Sequence, residues 1–285
     1  AADHLTPGLE PVYHVACFNF TLQYPMLLAA LERKDAPQVV EQKVRIVATY
    51  LDILLARRAV NYLSLTFGAL NYTLFGVIKQ IRGKPPTKLA QLLTDNLESQ
   101  GCDFLGAKDG ARKGMEQFAL NQWSKRYIKV LLARMTAWVE QESGMRTSVA
   151  DYLVQGKTRY EVEHILADKP RRHVGEFESA ADFGEFRNRF GGLLLVPKSF
   201  NASYGAMAYE NKLPHYLSQN LLARSLHPQC YKRNPGFKRF VAESGLPFVP
   251  HEEFNKAELE QRGELYHRLA DRIWNPDKLM REAGK

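Results

Sequence analysis

Apolar residues recur at helical spacing through the first half of the chain. One set lies between residues 40 and 54 and a second between residues 120 and 138: Val40, Val44, Val47, Leu51 and Leu54, then Leu120, Trp123, Tyr127, Leu131, Met135 and Trp138. Side chains three and four positions apart share one face of a helix, and large apolar faces of this kind are typical of a core. We therefore expect residues 1–145 to form an all-helical scaffold or connector domain.

Proline, glycine and capping residues mark where helices begin and end. Pro37 fits the first turn of one helix, and Gly83, which two prolines soon follow, ends another. Pro25 is expected to kink or interrupt a buried helix over residues 15–31. Asn255 and Glu258 have the spacing of a capping box, which predicts the start of the last helix.

Residues 159–216 follow a different pattern. Tyr160, Val162 and His164 alternate with two glutamates, and Leu193–Val196 form a short apolar run that Pro197 closes. A period of two residues and a short apolar run both indicate strands. The sequence therefore predicts two short strands in this stretch.

The segment after the second predicted strand has the small and polar residues of a short helix or turn. It runs from Ser199 to Tyr209, with Asn201 near its start. Two strands and a helix in this order make a ββα unit. We expect a mainly α protein of the α+β class, in which a second domain over residues 146–285 holds a small ββα core and the C-terminal helices.

Composition points to a globular protein. The chain has 285 residues, of which 45% are hydrophobic and 25% charged, ordinary values for a globular protein. No apolar run reaches the roughly 18 uncharged residues of a membrane span. No secretory signal segment begins the sequence, so we expect a cytoplasmic protein without a membrane partner. Three widely separated cysteines predict neither a disulfide framework nor a zinc site.

The positive charge of the chain is concentrated in one segment. Residues 186–240 contain nine Lys or Arg and one acid, Glu210, so this segment alone accounts for the net charge of +8. A confined basic excess is the electrostatic footprint of a protein that binds a polyanion. A solvated basic face is the simpler explanation, and on this observation alone it stays open.

The first predicted strand ends in groups that suit phosphodiester hydrolysis. His164 suits the activation of water, because an imidazole titrates near neutral pH. Glu163 and Asn201 supply the oxygen ligands that Mg²⁺ or Mn²⁺ prefers. An isolated Glu-His pair is a weak signal, and a helix cap explains Asn201 equally well.

Basic side chains near these positions are candidates for contacts with a DNA backbone, which position a protein without reading sequence. They are Arg187, Arg189, Lys198 and Lys212, with His173 and His215 as auxiliary groups. For each of the two histidines an ordinary polar role is the simpler alternative.

Three short motifs follow one another in the same stretch. They are Glu163-His164-Ile165, Gly191-Gly192-Leu193-Leu194-Leu195, and Asn201 with Tyr209 and Lys212. Together they resemble the HNH, or His-Me finger, nucleases, and more closely the C-terminal domain of GmrSD-type modification-dependent restriction enzymes, which include antiphage proteins. The resemblance implies a metal-dependent DNA endonuclease. In it His164 is the general base, Asn201 and Glu163 are metal ligands, and Lys212 contacts a phosphate.

Gly192 departs from the family pattern, which has Asn at this position. Glycine has no side chain to brace the loop that orients the histidine, and Asn188, four residues earlier, is the expected substitute. Related full-length proteins also carry an N-terminal nucleotide-hydrolysing domain that senses DNA modification. The sequence has no glycine-rich phosphate-binding loop, so we expect that domain to be a partner outside this chain.

Two other interpretations stay open. In the first, the protein is a catalytically inactive module that binds DNA or RNA through residues 186–240. In the second, it is a structural connector whose basic face meets another domain. The endonuclease hypothesis, with one site per chain that nicks one strand, predicts that His164→Ala removes activity and spares DNA affinity. A binding module would depend instead on Arg187 and Lys212.

Overall fold

The structure, a computed structural model, describes residues 3–284 and divides them into two compact units. Unit 1 contains the described residues up to Gly114 together with those from Trp274 onward, and unit 2 runs from Met115 to Ile273. The domain boundary expected between residues 145 and 146 therefore falls inside unit 2, because the helix Lys125–Glu142 packs on a strand of that unit. Residues 1, 2 and 285, at the ends of the two expected domains, lie outside the described part.

Unit 1 is built from helices, numbered here in chain order through both units. They are α1 (Glu10–Cys17), α2 (Gln23–Ala30), α3 (Pro37–Val60), α4 (Phe67–Ile81), α5 (Pro86–Ser99) and, near the end of the chain, α15 (Asp277–Ala283). Four of them, α1, α2, α5 and α15, pack on α3. Every residue from Ile46 to Ala56 is consequently buried, so α3 is a core helix on all its faces rather than on one stripe.

The sequence signals of unit 1 are confirmed in two places and wrong in one. Pro37 is the first residue of α3, and Gly83 follows α4 with a φ of +63°. The helix expected over residues 15–31 is instead two helices, and the break precedes Pro25. Asn19 has a φ of 58° and ends the first helix, whereas Pro25 lies in the first turn of α2, where its missing N–H is tolerated.

Unit 2 has an α+β fold. Its helices are α6 (Lys125–Glu142), α7 (Val149–Leu153), α8 (Ala180–Asn188), α9 (Lys198–Tyr204), α10 (Tyr209–Tyr216), α11 (Leu221–Arg224), α12 (Pro228–Arg233), α13 (Pro235–Ser244) and α14 (Lys256–Ile273), and its strands are β1 (Tyr160–His164) and β2 (Leu193–Pro197). The structure confirms both predicted strands and the short helix after the second. It also confirms the cap of α14, where Asn255 N donates to Glu258 Oε2 at 3.0 Å. Among residues 3–284 no helix combines the length and apolarity needed to span a membrane.

The two strands form an antiparallel sheet. Glu163 pairs with Leu194 and His164 with Leu193. The helices α6, α9 and α11 pack on β2, so its residues Leu193–Val196 are fully buried. Side chains alternate across a strand, which places Glu161 and Glu163 on one face of β1 and His164 on the other.

The helix α6 begins later than the apolar spacing predicts. Leu120 belongs to the predicted face, but its backbone N–H donates to the carbonyl of Asn188 at 2.7 Å, in an extended contact that precedes the helix. Asn121 Oδ1 then accepts from the N–H of Ser124 at 2.9 Å, and α6 starts at Lys125. This contact attaches the segment before α6 to the end of α8, which is where the candidate site lies.

Candidate active site

The imidazole of His164, at the end of β1, is hydrogen-bonded to the amide of Asn188, at the end of α8. His164 Nε2 lies 2.8 Å from Asn188 Oδ1, and Asn188 Nδ2 donates to the carbonyl of Gly184, one turn earlier, at 2.9 Å. Because the amide nitrogen makes that second bond, the amide oxygen faces the ring, and Nε2 must carry the proton that it donates. Nδ1 of the neutral ring is then the nitrogen with a lone pair.

Burial keeps the imidazole of His164 neutral. The pKa of this ring is lowered from 6.5 to about 4, mainly by removal from water and also by the nearby Arg187 guanidinium, while the bond to Asn188 opposes both effects. A group with so low a pKa is deprotonated near neutral pH. The ring is therefore in the form that accepts a proton from water.

Gly192 fits the packing of α14 against the segment before β2. A Cβ at this position would lie 3.1 Å from Leu259 Cδ1 and 3.2 Å from the carbonyl oxygen of Arg187. The asparagine of the family pattern would therefore require Leu259 to move. In this chain the hydrogen bond to the His164 imidazole is made by Asn188 instead.

Glu163 and Lys212 form a buried ion pair. Lys212 Nζ donates to Glu163 Oε1 at 2.6 Å and to the carbonyls of His164 and Ile165 at 2.9 and 3.4 Å. The exposed fraction of the side chain is 0% for Lys212 and 3% for Glu163. Burial raises the pKa of the Glu163 carboxyl and lowers the pKa of the Lys212 ammonium, and their contact opposes both shifts. One lysine of α10 thus fixes the backbone at the end of β1.

This ion pair does not fit two roles that the resemblance implied. A divalent cation at Glu163 would lie beside the Lys212 ammonium, and like charges repel strongly where water is excluded. Lys212 also has no exposed surface with which to reach a DNA phosphate. Glu163, the expected metal ligand, and Lys212, the expected phosphate contact, bind each other. The alternation of side chains along β1 directs Glu163 toward α10 rather than toward solvent.

Asn201 lies beside Glu161 rather than beside Glu163. Asn201 Nδ2 donates to Glu161 Oε2 at 3.4 Å, and Glu161 Oε1 pairs with Arg159 Nη2 at 2.9 Å. The Glu161 side chain is 30% exposed, so its carboxylate reaches solvent. Sequence reasoning missed Glu161, although strand alternation puts it on the same face as Glu163, two residues later.

Asn201 and Glu161 are adjacent oxygen-bearing side chains in this region. No group of three or more His, Cys, Asp or Glu in the described part of the chain is arranged to hold a metal ion. Mg²⁺ needs fewer protein ligands than such a group provides. It usually binds one or two protein oxygens, and water and substrate phosphate complete its coordination. The Glu161 carboxylate, which is 30% exposed and shares Oε1 with Arg159, lies beside the Asn201 amide, whereas the Glu163 carboxylate is buried against Lys212.

The other candidate DNA contacts differ in how far they reach solvent. Lys198 and His215 are exposed. Arg187 and Arg189 are half-buried and have protein partners: Arg187 Nε donates to the carbonyl of Leu166 at 2.9 Å, and the Arg189 guanidinium lies 3.7 Å from the centre of a phenylalanine ring. Lys198 and His215 are therefore the two candidates whose side chains reach solvent most fully, and the His215 ring lies against the Tyr204 ring, with 4.3 Å between the ring centres.

A cavity of about 620 Å³ opens beside the loop that follows β1. Its charged lining consists of Arg172, His173, Glu176, Glu210, Glu252 and Glu253. His173 Nδ1 pairs with Glu176 Oε1 at 3.0 Å, so this auxiliary candidate already has a partner. A wall with four carboxylates repels phosphate, and we do not expect the DNA backbone to enter it.

The sequence of unit 2 is similar to that of a known family. Residues 108–269, more than half of the chain, match the family described as GmrSD restriction endonucleases, C-terminal domain. The match includes both strands and the segment that carries His164, Asn188 and Asn201. Neither a curated protein nor a solved structure matches the chain significantly.

Proposed function

Since the chain belongs to the GmrSD restriction endonuclease C-terminal domain family, whose members are nucleases, we propose that it is a metal-dependent DNA endonuclease of the HNH type in a restriction system that acts against phage. The observation that carries this proposal is the bond of 2.8 Å between His164 Nε2 and Asn188 Oδ1. It fixes the tautomer of His164 whose Nδ1 can take a proton from water.

His164 is the general base of the proposed reaction. Its Nδ1 accepts a proton from the water that attacks the phosphorus, while Nε2 keeps donating to Asn188. The amide oxygen of Asn188 then stabilises the imidazolium that forms. Lys212, which binds the carbonyls of His164 and Ile165, holds the strand end in place as the ring becomes charged.

A divalent cation, Mg²⁺ or Mn²⁺, is part of the proposal. When bound, it would stabilise negative charge on the phosphate and on the leaving oxygen. Asn201 and Glu161 are the residues that would hold it, in place of the combination of Asn201 and Glu163. Lys198 and His215 would contact the DNA backbone.

The proposed product is a nick, because one site per chain cuts one strand unless two chains act together. The N-terminal nucleotide-hydrolysing partner domain stays a prediction from the resemblance, and so does its role in sensing a DNA modification.

The pairing of Glu163 with Lys212 favours a second candidate function. If activity requires the Glu163 carboxylate to bind a metal ion, the ion pair with Lys212 occupies that carboxylate and removes this metal ligand. Unit 2 would then be an inactive module that binds DNA or RNA through residues 186–240. The bond between His164 and Asn188 would in that case have only a structural role.

Supercoiled plasmid distinguishes the two functions. An endonuclease converts it into open circles with Mg²⁺ or Mn²⁺ and stops when EDTA is added. His164→Ala is expected to lower the nicking rate at least about 100-fold and to leave DNA affinity unchanged. His4→Ala removes an exposed imidazole of unit 1 and, as the matched control, keeps full activity. If His164→Ala nicks plasmid at the wild-type rate, His164 is not the general base. If the wild-type protein binds DNA but does not nick it with either metal, the result supports the binding module.

A further inference from the structure

The helix α4, in unit 1, carries three aromatic rings in solvent, with Tyr72 and Phe75 on its outward side and Phe67 at its first residue. The exposed fractions of Phe67, Tyr72 and Phe75 are 60%, 90% and 50%. The opposite face of the helix is buried in the core through Leu70 and Leu74, so the fold of unit 1 does not use the outer rings. Each exposed ring gives up the hydrophobic stabilisation that burial would provide, which is unusual for three large side chains on one helix.

Two glycines flank the most exposed of these rings. Gly68 and Gly76 lie four residues before and after Tyr72, on the same side of the helix, and a Cβ at either position would have no neighbour within 4 Å. Neither glycine has a positive φ. Glycine inside a helix is less stable than alanine, so packing and backbone geometry do not explain either residue. Because these two positions have no side chains, the helix backbone is uncovered on both sides of the Tyr72 ring. A flat group can therefore lie against the ring there.

The same stretch is cationic. From Phe67 to Thr94 the sequence has no Asp or Glu, and its charged residues are Lys79, Arg82, Lys84 and Lys88. Lys79 Nζ lies 4.5 Å from the centre of the Phe75 ring, so a cation lies on the same side of the helix as that ring. The carboxylate of Glu32, which approaches Gly83 beyond the end of α4, is itself paired with Lys34 at 3.5 Å.

We propose that this face of α4 binds single-stranded nucleic acid. Unpaired bases stack on Tyr72 and its neighbouring rings, and backbone phosphates contact Lys79 and the cations that follow it. Exposed rings beside positive charge are the combination that single-strand binding uses, because every base has a face that can stack. The cations distinguish the face from an apolar surface for another protein, and open glycine positions suit a flat base. The proposal goes beyond the nuclease of unit 2 and does not depend on cleavage.

Fluorescence anisotropy of the full chain with a labelled thymidine oligonucleotide of about 20 nucleotides tests this surface, with EDTA present to prevent cutting. Tyr72→Ala is expected to weaken binding about tenfold or more, and Tyr72→Trp, which keeps a stacking ring, is expected to retain it. Lys79→Gln should weaken binding and make its salt dependence less steep. Leu105→Ala removes an apolar side chain of unit 1 that is 72% exposed and, as the matched control, leaves affinity unchanged.

Because residues 186–240 are also basic, the position of the strand needs its own measurement. An oligonucleotide with 5-iododeoxyuridine, cross-linked by ultraviolet light and analysed by mass spectrometry, is expected to label Tyr72 or Phe75. Labelling confined to unit 2, or an unchanged affinity in Tyr72→Ala, overturns the proposal. The proposal is also overturned if the protein self-associates and Tyr72→Ala abolishes that self-association without changing oligonucleotide affinity. The face would then bind a second copy of the chain. If Tyr72→Ala nicks plasmid at the wild-type rate, its weaker binding of the oligonucleotide is not caused by a loss of the nuclease function proposed for unit 2.

Discussion

Lys212 Nζ lies 2.6 Å from Glu163 Oε1 in a site closed to solvent, although the two residues are 49 positions apart in the chain. Each belongs to a motif that suggested chemistry, one as a metal ligand and the other as a phosphate contact. Their pairing instead secures the strand end on which His164 lies. Among the other residues proposed for chemistry, His164 is hydrogen-bonded to Asn188 and, separately, Asn201 to Glu161.

Removal of one partner of the buried ion pair is expected to destabilise the fold. Lys212→Met leaves the Glu163 carboxylate buried without a cation, which should lower the free energy of unfolding by about 3–5 kcal/mol. Adding Glu163→Gln removes the second charge and should recover most of that loss. Urea unfolding followed by circular dichroism measures both changes. A Lys212→Met variant as stable as the wild type would contradict a structural role for the pair.

The pH dependence of nicking is expected to follow His164. Its pKa of about 4 predicts a rate that is constant near neutral pH and falls as acid protonates Nδ1. In Asn188→Asp a carboxylate faces Nε2, raises the pKa of the imidazole and moves the acid limb of the pH–rate profile to higher pH. An acid limb that does not move would show that His164 is not the group whose titration limits the rate.

The same shift has a consequence for stability. Unfolding returns His164 toward its ordinary pKa of 6.5, so the unfolded chain binds this proton at a higher pH than the folded chain. The stabilisation from the neutral ring is therefore complete above pH 6.5 and is lost as the pH falls from there toward 4.

Two glycines near the site are expected to respond oppositely to alanine. A Cβ at Gly191 would lie 2.5 Å from the backbone N of Gly263, whereas one at Gly184, inside α8, would have no neighbour within 4 Å. Gly191→Ala should therefore lower stability by at least about 2 kcal/mol, through displacement of α14. Gly184→Ala should raise stability by up to about 1 kcal/mol, because alanine favours the helix. Thermal unfolding compares the two, and equal effects would argue against close packing at Gly191.

Metal dependence is expected to follow Asn201 and Glu161. Asn201→Ala and Glu161→Gln should each raise the Mg²⁺ concentration for half-maximal nicking at least about tenfold, because the first removes the amide oxygen and the second removes the negative charge of the carboxylate proposed to bind the cation. Glu185→Gln changes another exposed carboxylate of unit 2 and should leave that concentration unchanged. If both site variants respond like this control, the ligands lie elsewhere.

Local pattern predicted much of the secondary structure. The alternation before His164 and the apolar run Leu193–Val196 indicated both strands, and Pro37 indicated the start of α3. Such signals depend on residues only a few positions apart, which the sequence displays directly. Where a distant contact competed, the pattern misled: Leu120 continues a helical spacing, yet its N–H bonds to Asn188.

The sequence by itself determined the order of two strands and a helix, the place of His164 at a strand end, and Asn188 as the candidate to brace it. Only the tertiary structure decided that Glu163 meets Lys212, that Asn201 meets Glu161, and that the units divide at residues 114 and 273. Strand alternation is local and fixes the side from which each side chain projects. Which group it meets there depends on how elements far apart in the chain pack together, and residue spacing does not encode that.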